Sequence, residues 1–298
     1  MLSSLSQNFS RISYISDIYG SRFVNHPAAF SHIEDRGYQF SDGVYEVIAI
    51  ENGKFIDGNL HIARLKRSLK ELSIRIDFSL KSLNIIIKEL LRRNKIKDAV
   101  LYMQVTRGVA ARNHQFPKNT KPTIVITLLP LKKPSDKEYE YGVGVISVSD
   151  IRWGRRDIKS ISLLPNILAK QEAAVAKCRE AWLVNADGCV TEGSSSNSFI
   201  VNSKGDLVTH KSDNNILGGI TRDIVIKLAK KNKIKVIEKS FTLPEAIKAK
   251  EAFITSTTAR ILPVVKIDNK KIGNGKPGEV TRKLMEFYNL HINKEINS

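Results

Sequence analysis

The chain has 298 residues, 42% hydrophobic and 26% charged, which are globular values and exclude a disordered or fibrous protein. That length fills one large core or two of ordinary size, and we expect two domains. No apolar run nears the roughly 20 residues needed to span a bilayer, and the two cysteines, Cys178 and Cys189, have no metal-ligand spacing, which points away from a metal and toward a reducing, cytoplasmic compartment.

The net charge of +18 raises nucleic acid as a partner. However, Lys66, Lys70, Lys81, Lys88, Lys227, Lys230, Lys231 and Lys283 are spread over polar helix faces without interleaved aromatics. They read as a solvated basic surface, so neither nucleic acid nor membrane is an expected partner. A basic binding protein without catalysis is the reading from another class.

In chain order, the serine-rich opening MLSSLSQNFS reads as a disordered tail and Arg11 to Val24 as a short hairpin. In the next segment Gly37 and Asp42-Gly43 punctuate. Val44 to Ile50 followed by Asn52-Gly53 reads as strand, turn, strand. Asn59 caps a helix through Leu72, with Leu60, Leu65, Leu69 and Leu72 at helical spacing, and a second helix runs from Leu80 to Arg93. Strands Ala99 to Thr106 and Pro122 to Leu128 flank the loop RGVAARNHQFPKNT, whose length favours a functional role. Residues 1–130 thus make a small α+β domain, and PLKKPSDKEYE, with two prolines and dense charge, marks a linker at 131–141.

Residues 142–298 hold strands near Val143 to Val148, Ala181 to Asn185, Cys189 to Thr191, Ser198 to Val201, Leu207 to His210, Lys235 to Glu238, Ala252 to Thr255 and Leu262 to Ile267. Helices fit Pro165 to Arg179, Ile220 to Asn232, Leu243 to Ala249 and Pro277 to Leu290. Strands outnumber helices, so the fold class is α+β in two domains, the larger one with a curved, barrel-like sheet and peripheral helices.

Two lysines compete for a central chemical role. In the helix from Pro165, the residues Leu164, Ile167, Leu168, Val175 and Cys178 share one stripe and Lys170 lies well off it, which leaves Lys170 solvated. Lys159 lies between strand-like Ile151 to Trp153 and apolar Ile161 to Leu164, a junction where a side chain projects from a rigid element; alone, a loop lysine is ordinarily surface. Glu192 stands in TEGSSSN between two strand-like segments where glutamate is disfavoured, with small side chains and donors beside it; alone, this is a surface turn. Together, a Schiff-base lysine and a carboxylate suit pyridoxal phosphate, the carboxylate keeping the ring nitrogen protonated.

Such a cofactor needs a phosphate anchor. From Asn215 to Arg222 two glycines precede a helix, so free N–H groups and the helix dipole face an anion, and the turn Thr255 to Thr258 offers further donors. Arg64, on the polar side of its helix, offers charge. An amino-acid substrate also needs its carboxylate held. Arg112 and His114, at i and i+2 in the long loop, and the hydroxyl of Tyr45 are the candidates. The plainer readings are a glycine turn, a solvated arginine and an incidental loop.

At these residues the sequence resembles the class IV pyridoxal-phosphate aminotransferases, and within them the members acting on D-amino acids. The matching segments are EDRGYQFSDGVYEV, HIARL, QVTRGVAARNHQFP, DIKS with LAKQEA, TEGSSSN, ILGGITRD and TSTT, in the family's order from Glu34 to Arg282. The resemblance implies a homodimer that transfers an amino group between a D-amino acid of the D-alanine type and a 2-oxo acid such as 2-oxoglutarate, giving pyruvate and D-glutamate. It implies Lys159 as the catalytic lysine, Glu192 at the pyridine nitrogen, Leu217 beneath the ring, and Arg64, Ile220, Thr221, Ser256 and Thr257 on the phosphate. It also implies a trap for the substrate carboxylate made of Tyr45 with Arg112 and His114, the last two from the other subunit.

Two departures stand out. SISLL replaces SLNLL, so Ser162 stands in place of an amide, and Ala259-Arg260 replaces a small polar and an acidic residue. Arg260 would favour dicarboxylates if it faced the substrate pocket. Branched-chain L-amino-acid transaminases and aminodeoxychorismate lyases share the fold and are the nearest alternatives; both need a different carboxylate site.

Overall fold

The computed structural model describes residues 11–76 and 79–297, so the expected N-terminal tail lies outside the described residues. The chain divides into two compact units. One comprises the chain through Lys132 with Ile158–Ser162 and Glu295–Ser298, and the other comprises Lys133–Asp157 with Leu163–Lys294.

The first unit contains β1 (Ile12–Asp17), β2 (Gly20–Asn25), α1 (Arg36–Phe40), β3 (Gly43–Glu51), β4 (Lys54–Phe55), α2 (Gly58–Glu71), α3 (Leu80–Asn94), β5 (Ala99–Thr106) and β6 (Thr123–Pro130). Its antiparallel sheet has the order β2-β1-β6-β5-β3-β4. Alternation fixes the faces. Val44, Ile48 and Ile50 of β3, Leu101, Met103 and Val105 of β5, and Ile126 and Leu128 of β6 form a core with Ile62, Leu65 and Leu69 of α2 and Leu83, Ile87 and Leu90 of α3. Each such side chain contributes about 1.5–3 kcal/mol when buried, and a one-residue slip would turn a strand's whole set outward, so the core sets the register.

The segment Ile158–Ser162 joins this unit by backbone pairing. The Tyr45 N–H donates to the Lys159 carbonyl (3.0 Å) and the Ile161 N–H to the Gly43 carbonyl (3.1 Å), so Val44 faces Ser160 across an antiparallel bridge. Sequence position groups Lys159 with residues 142–298; the pairing puts it on the edge of β3.

The second unit contains α4 (Asp136–Tyr141), β7 (Val143–Ser149), α5 (Leu164–Val175), β8 (Glu180–Val184), β9 (Cys189–Gly193), β10 (Asn197–Val201), β11 (Leu207–Thr209), α6 (Ile220–Lys231), β12 (Val236–Glu238), β13 (Phe241–Thr242), α7 (Leu243–Ile247), β14 (Glu251–Ser256), β15 (Arg260–Ile267), β16 (Lys270–Lys271) and most of α8 (Glu279–Asn297). Ten strands form one curled sheet in the order β12-β11-β10-β14-β15-β7-β8-β9-β13, with β16 paired to β15. Its core gathers Val145, Trp182, Val190, Ile200, Val208, Phe241, Ile254, Leu262 and Val264.

Two expectations are corrected here. The segment read as a linker carries α4, because Ser135 and Glu138 make a capping box that satisfies backbone donors at its start. The stripe Leu164, Ile167, Leu168 and Val175 of α5 is exposed, at 67, 59, 49 and 75%. The helix seats instead on Ala169 and Ala173 against Ala181 and Leu183, where small side chains allow close approach. Lys170 reaches the Arg179 carbonyl (2.6 Å) and the Glu180 carboxylate (3.3 Å), so it is engaged and only partly solvated. No described helix is long and apolar enough to cross a membrane.

Candidate active site

In the first unit, the alternation that buries Val44 and Ile48 also turns Glu46 inward. A carboxylate with no exposure must be paired there. Helix α2 supplies the partners three residues apart on one face: His61 Nδ1 lies 2.9 Å from Glu46 Oε1, and Arg64 donates to both carboxylate oxygens, Nε at 3.0 Å and Nη2 at 2.6 Å. Burial alone would raise the Glu46 pKa, but the Arg64 charge and the hydrogen bonds from His61 and Arg64 outweigh it and hold the carboxyl well below its ordinary range. Burial, helped by the charges of Arg64 and Lys159, lowers the His61 pKa against the pull of Glu46, so this imidazole is neutral at pH 7.

Tyr45 points to the opposite face of β3. Lys159 Nζ lies 4.3 Å from the centre of its ring, and Tyr102 packs on it at 5.8 Å. The Tyr102 hydroxyl donates to Gln104 (2.6 Å), and burial, with the nearby Tyr45, pushes its pKa up to about 12. The Lys159 N–H donates to Ser68 Oγ of α2 at 3.3 Å, so both backbone groups of this residue are held.

Arg112 and His114 are exposed and gather around Phe40, the guanidinium carbon 4.6 Å from the ring centre and the imidazole 5.5 Å. Their loop is pinned from below. Buried Arg36 donates to the Asn113 carbonyl (2.5 Å) and to Asp42 (2.7 Å), and Arg107 donates to the same carboxylate (2.7 Å). No hydrogen bond or ring contact joins Arg112 or His114 to Tyr45 among the described residues.

In the second unit, β9 carries Glu192 and places it 4% exposed. Arg152 donates to Oε1, Asn197 Nδ2 to Oε2 (3.0 Å), and the Leu217 N–H to both oxygens (3.1 Å each). Arg152 is gripped in turn by Asp150 through Nε (2.9 Å) and Nη2 (2.8 Å), and Thr191 donates to the same carboxylate (2.8 Å). Burial pushes the Glu192 carboxyl up to about 7; Arg152 and the Leu217 N–H pull the other way, and Asp150 adds to the rise.

The serine hydroxyls have a partner of their own. The hydroxyls of Ser194, Ser195 and Ser196 all donate to the buried Glu180 carboxylate. The small residues thus wrap a turn around an internal anion. A Cβ on Gly193 would meet Ser196 Oγ and press on the Glu180 side chain, so a larger residue there would disturb this cluster.

Leu217 is anchored by its N–H on Glu192 and by its carbonyl, which accepts from Asn197 Nδ2 at 2.9 Å. The next turn begins α6 at Gly219, which provides no side-chain cap, so the first N–H groups of a 12-residue helix, with buried Ile220 and Thr221, lack a side-chain partner there. A Cβ on Gly219 would meet Asn197 Oδ1, so a larger residue there would displace the Asn197 side chain that donates to Glu192. Ser256 closes β14, and its Oγ accepts the Ala259 N–H (3.2 Å); beside it the buried Thr255 Oγ1 has no partner among the described residues. Uncapped helix donors, hydroxyls and an orphaned buried oxygen fit an oxyanion, and the buried Glu192 fits a protonated ring nitrogen.

Arg64, expected on the phosphate, donates to Glu46 through Nε and Nη2. Arg260 donates to Asn289 of α8 at 2.9 Å. The sequence reading missed Glu46, His61, Asp150, Arg152 and Asn197 as participants. The signal for the first two was present, a carboxylate on an apolar strand face and a histidine three residues before an arginine on a helix. For Arg152 none exists locally, because Asp150 and Arg152 read as a solvated loop until Glu192 is brought to them.

The amino-transferase class IV family model matches residues 43–267. The D-alanine aminotransferase of Bacillus licheniformis is 44% identical over 265 residues, covering 89% of this chain and 93% of that one. The enzyme of the same name from Listeria monocytogenes serotype 4b is 42% identical over 273 residues, 91% of this chain and 94% of that one. Among solved structures, a T.th. branched-chain amino acid aminotransferase with pyridoxamine 5'-phosphate superposes with a TM-score of 0.86 at 25% identity, covering 97% of this chain and 95% of that one.

Proposed function

Because the chain belongs to the class IV aminotransferases, we propose that it moves the amino group of a D-amino acid of the D-alanine type to a 2-oxo acid such as 2-oxoglutarate, giving pyruvate and D-glutamate. What carries this reading is a backbone-held lysine and a fully buried, arginine-braced carboxyl in a chain 44% identical to a D-alanine aminotransferase. Its cofactor is pyridoxal 5'-phosphate, which when bound supplies the electron sink for charge released at the substrate α-carbon.

In this proposal Lys159 Nζ holds the cofactor and moves the α-proton, its main chain fixed by Tyr45 and Ser68. Glu192, buried and braced by Arg152, holds the ring-nitrogen proton. The start of α6 with Ile220 and Thr221, together with Ser256 and Thr257, holds the phosphate, and Arg64 adds positive charge. Leu217 supports the ring. Tyr45, with Arg112 and His114 of a second copy, holds the substrate carboxylate. The exposed α5 stripe supports a homodimer, since contiguous apolar surface of this kind ordinarily meets a partner.

The test supplies D-alanine and L-alanine separately with 2-oxoglutarate: pyruvate should form with the D-isomer, and turnover with the L-isomer alone would overturn the reading in favour of an L-specific enzyme. Arg112→Ala should raise KM for amino acids with less effect on kcat. The shared site has its own check. Assayed at amino-acid concentrations far below the raised KM, Arg112→Ala subunits are slow and Lys159→Ala subunits are inactive; mixed and reassembled, they should gain activity, because each hybrid then carries one intact site, and no gain would remove the second copy's contribution.

A further inference from the structure

The side chains of Arg112 and His114 are exposed and make no hydrogen bond or ion pair among the described residues. An arginine left to itself spreads over many rotamers, and gathering it into one geometry costs binding free energy each time a ligand arrives. What both side chains meet is a single ring. The Arg112 guanidinium carbon lies 4.6 Å from the centre of Phe40 and the His114 imidazole 5.5 Å from it, distances at which the face of the ring attracts a cation and an aromatic neighbour packs.

That ring is a fixed point. Phe40 is the last residue of α1, whose start is capped by Asp35 accepting the Gly37 N–H (2.8 Å) and whose end turns at Ser41 with a φ of 57°. Buried Arg36 of the same helix has its guanidinium carbon 4.8 Å from the centre of the Phe40 ring. Unlike Arg112, Arg36 is fully committed: Nε donates to Asp42 (2.7 Å) and Nη1 to the carbonyl of Asn113, the residue between Arg112 and His114 (2.5 Å). One anchored arginine therefore fixes both the backbone of the pair and the ring against which their side chains rest.

We propose that Phe40 is a positioning residue for substrate recognition, its ring holding Arg112 and His114 ready so that an arriving carboxylate meets a formed clamp. Its role in recognition rests on the carboxylate-holding reading of that pair above; its contact with the pair does not. Because the amino donor and the 2-oxo acid acceptor both carry an α-carboxylate, Phe40 serves both half-reactions.

The experiment measures steady-state kinetics with D-alanine and 2-oxoglutarate for cofactor-loaded wild type, Phe40→Leu, Phe40→Tyr, Arg112→Ala and the Phe40→Leu, Arg112→Ala double variant. Proton NMR of the His114 imidazole in each protein reports the ring contact through the ring current of residue 40. Phe40→Leu keeps an apolar side chain without a π face and should raise KM for both substrates about 2–5-fold with a smaller change in kcat. Phe40→Tyr keeps the ring and should restore KM, and Phe40→Leu should cost less in the Arg112→Ala background than in wild type. An unchanged KM in Phe40→Leu, an equal loss in Phe40→Leu and Phe40→Tyr, or an undiminished effect in the double variant overturns the role of Phe40. A KM that Arg112→Ala leaves unchanged sinks the carboxylate reading and the recognition role with it, while a His114 resonance that still moves in Phe40→Leu keeps the ring contact.

Discussion

Glu46 and Glu192 are the same residue type, both buried and both in contact with an arginine, yet their carboxyls move in opposite directions. Glu46 receives two hydrogen bonds from Arg64 and one contact from His61, and these outweigh its desolvation. Glu192 has one direct contact from Arg152, whose other donors are held by Asp150, and that neighbouring carboxylate opposes ionisation. The lesson is that a buried ion pair is set by how fully the cation is committed to it and by the charges behind the cation. Glu46 is a permanent anion that orients α2 beneath the lysine's strand. Glu192 is poised to hold or release a proton near neutrality.

The largest expected effect breaks the first half of that contrast. Glu46→Gln leaves Arg64 and His61 without their anion inside the first unit and should cost about 3–5 kcal/mol in urea unfolding; an unchanged midpoint would show that Glu46 is no anchor. Because the folded-state pKa of Glu46 lies below its ordinary 4.5, its contribution is fully present above that value and is lost as pH falls. Glu46→Gln should therefore lack part of the wild-type loss of stability in acid.

The second half has the reverse sign. The folded pKa of Glu192, about 7, lies above its ordinary 4.5, so between these values the folded state binds more protons than the unfolded state. Cofactor-free protein should lose roughly 3 kcal/mol of stability through this group as pH rises from 4.5 to 7, and Glu192→Gln should flatten that slope. An unaltered slope would mean that Arg152 keeps Glu192 ionised throughout. The smallest effect sharpens the role of the α2 neighbourhood: Ser68→Ala removes the acceptor for the Lys159 N–H and should cost about 0.5–1.5 kcal/mol. Proton exchange at the Lys159 amide would report the loosening directly, and equal protection in variant and wild type would show that Ser68 does not hold this backbone.

Much of the fold was legible because it is locally encoded. Alternating Val44, Ile48 and Ile50 announced β3, Leu65 and Leu69 announced α2, and the glycines before Ile220 announced a helix start. The motifs around Lys159, Glu192 and Leu217 carried the family and its chemistry. The α5 stripe misled because periodicity reports an apolar face without saying what covers it, and here Ala169 and Ala173 pack against the sheet while Leu164 and Ile167 remain outside. The partner of the TEGSSSN hydroxyls was not legible for the same reason, since Glu180 lies in another strand.

The sequence by itself therefore determined most of the elements and the family, since propensity, periodicity and motif spacing act over a few residues. Only the tertiary structure decided that Lys159 pairs with β3, that Arg64 is committed to Glu46, and that Glu192 and Glu46 titrate in opposite directions. Those outcomes depend on desolvation and on charges brought close from distant parts of the chain, and Coulomb interactions in a buried site follow distance in space, which no local pattern of residues records.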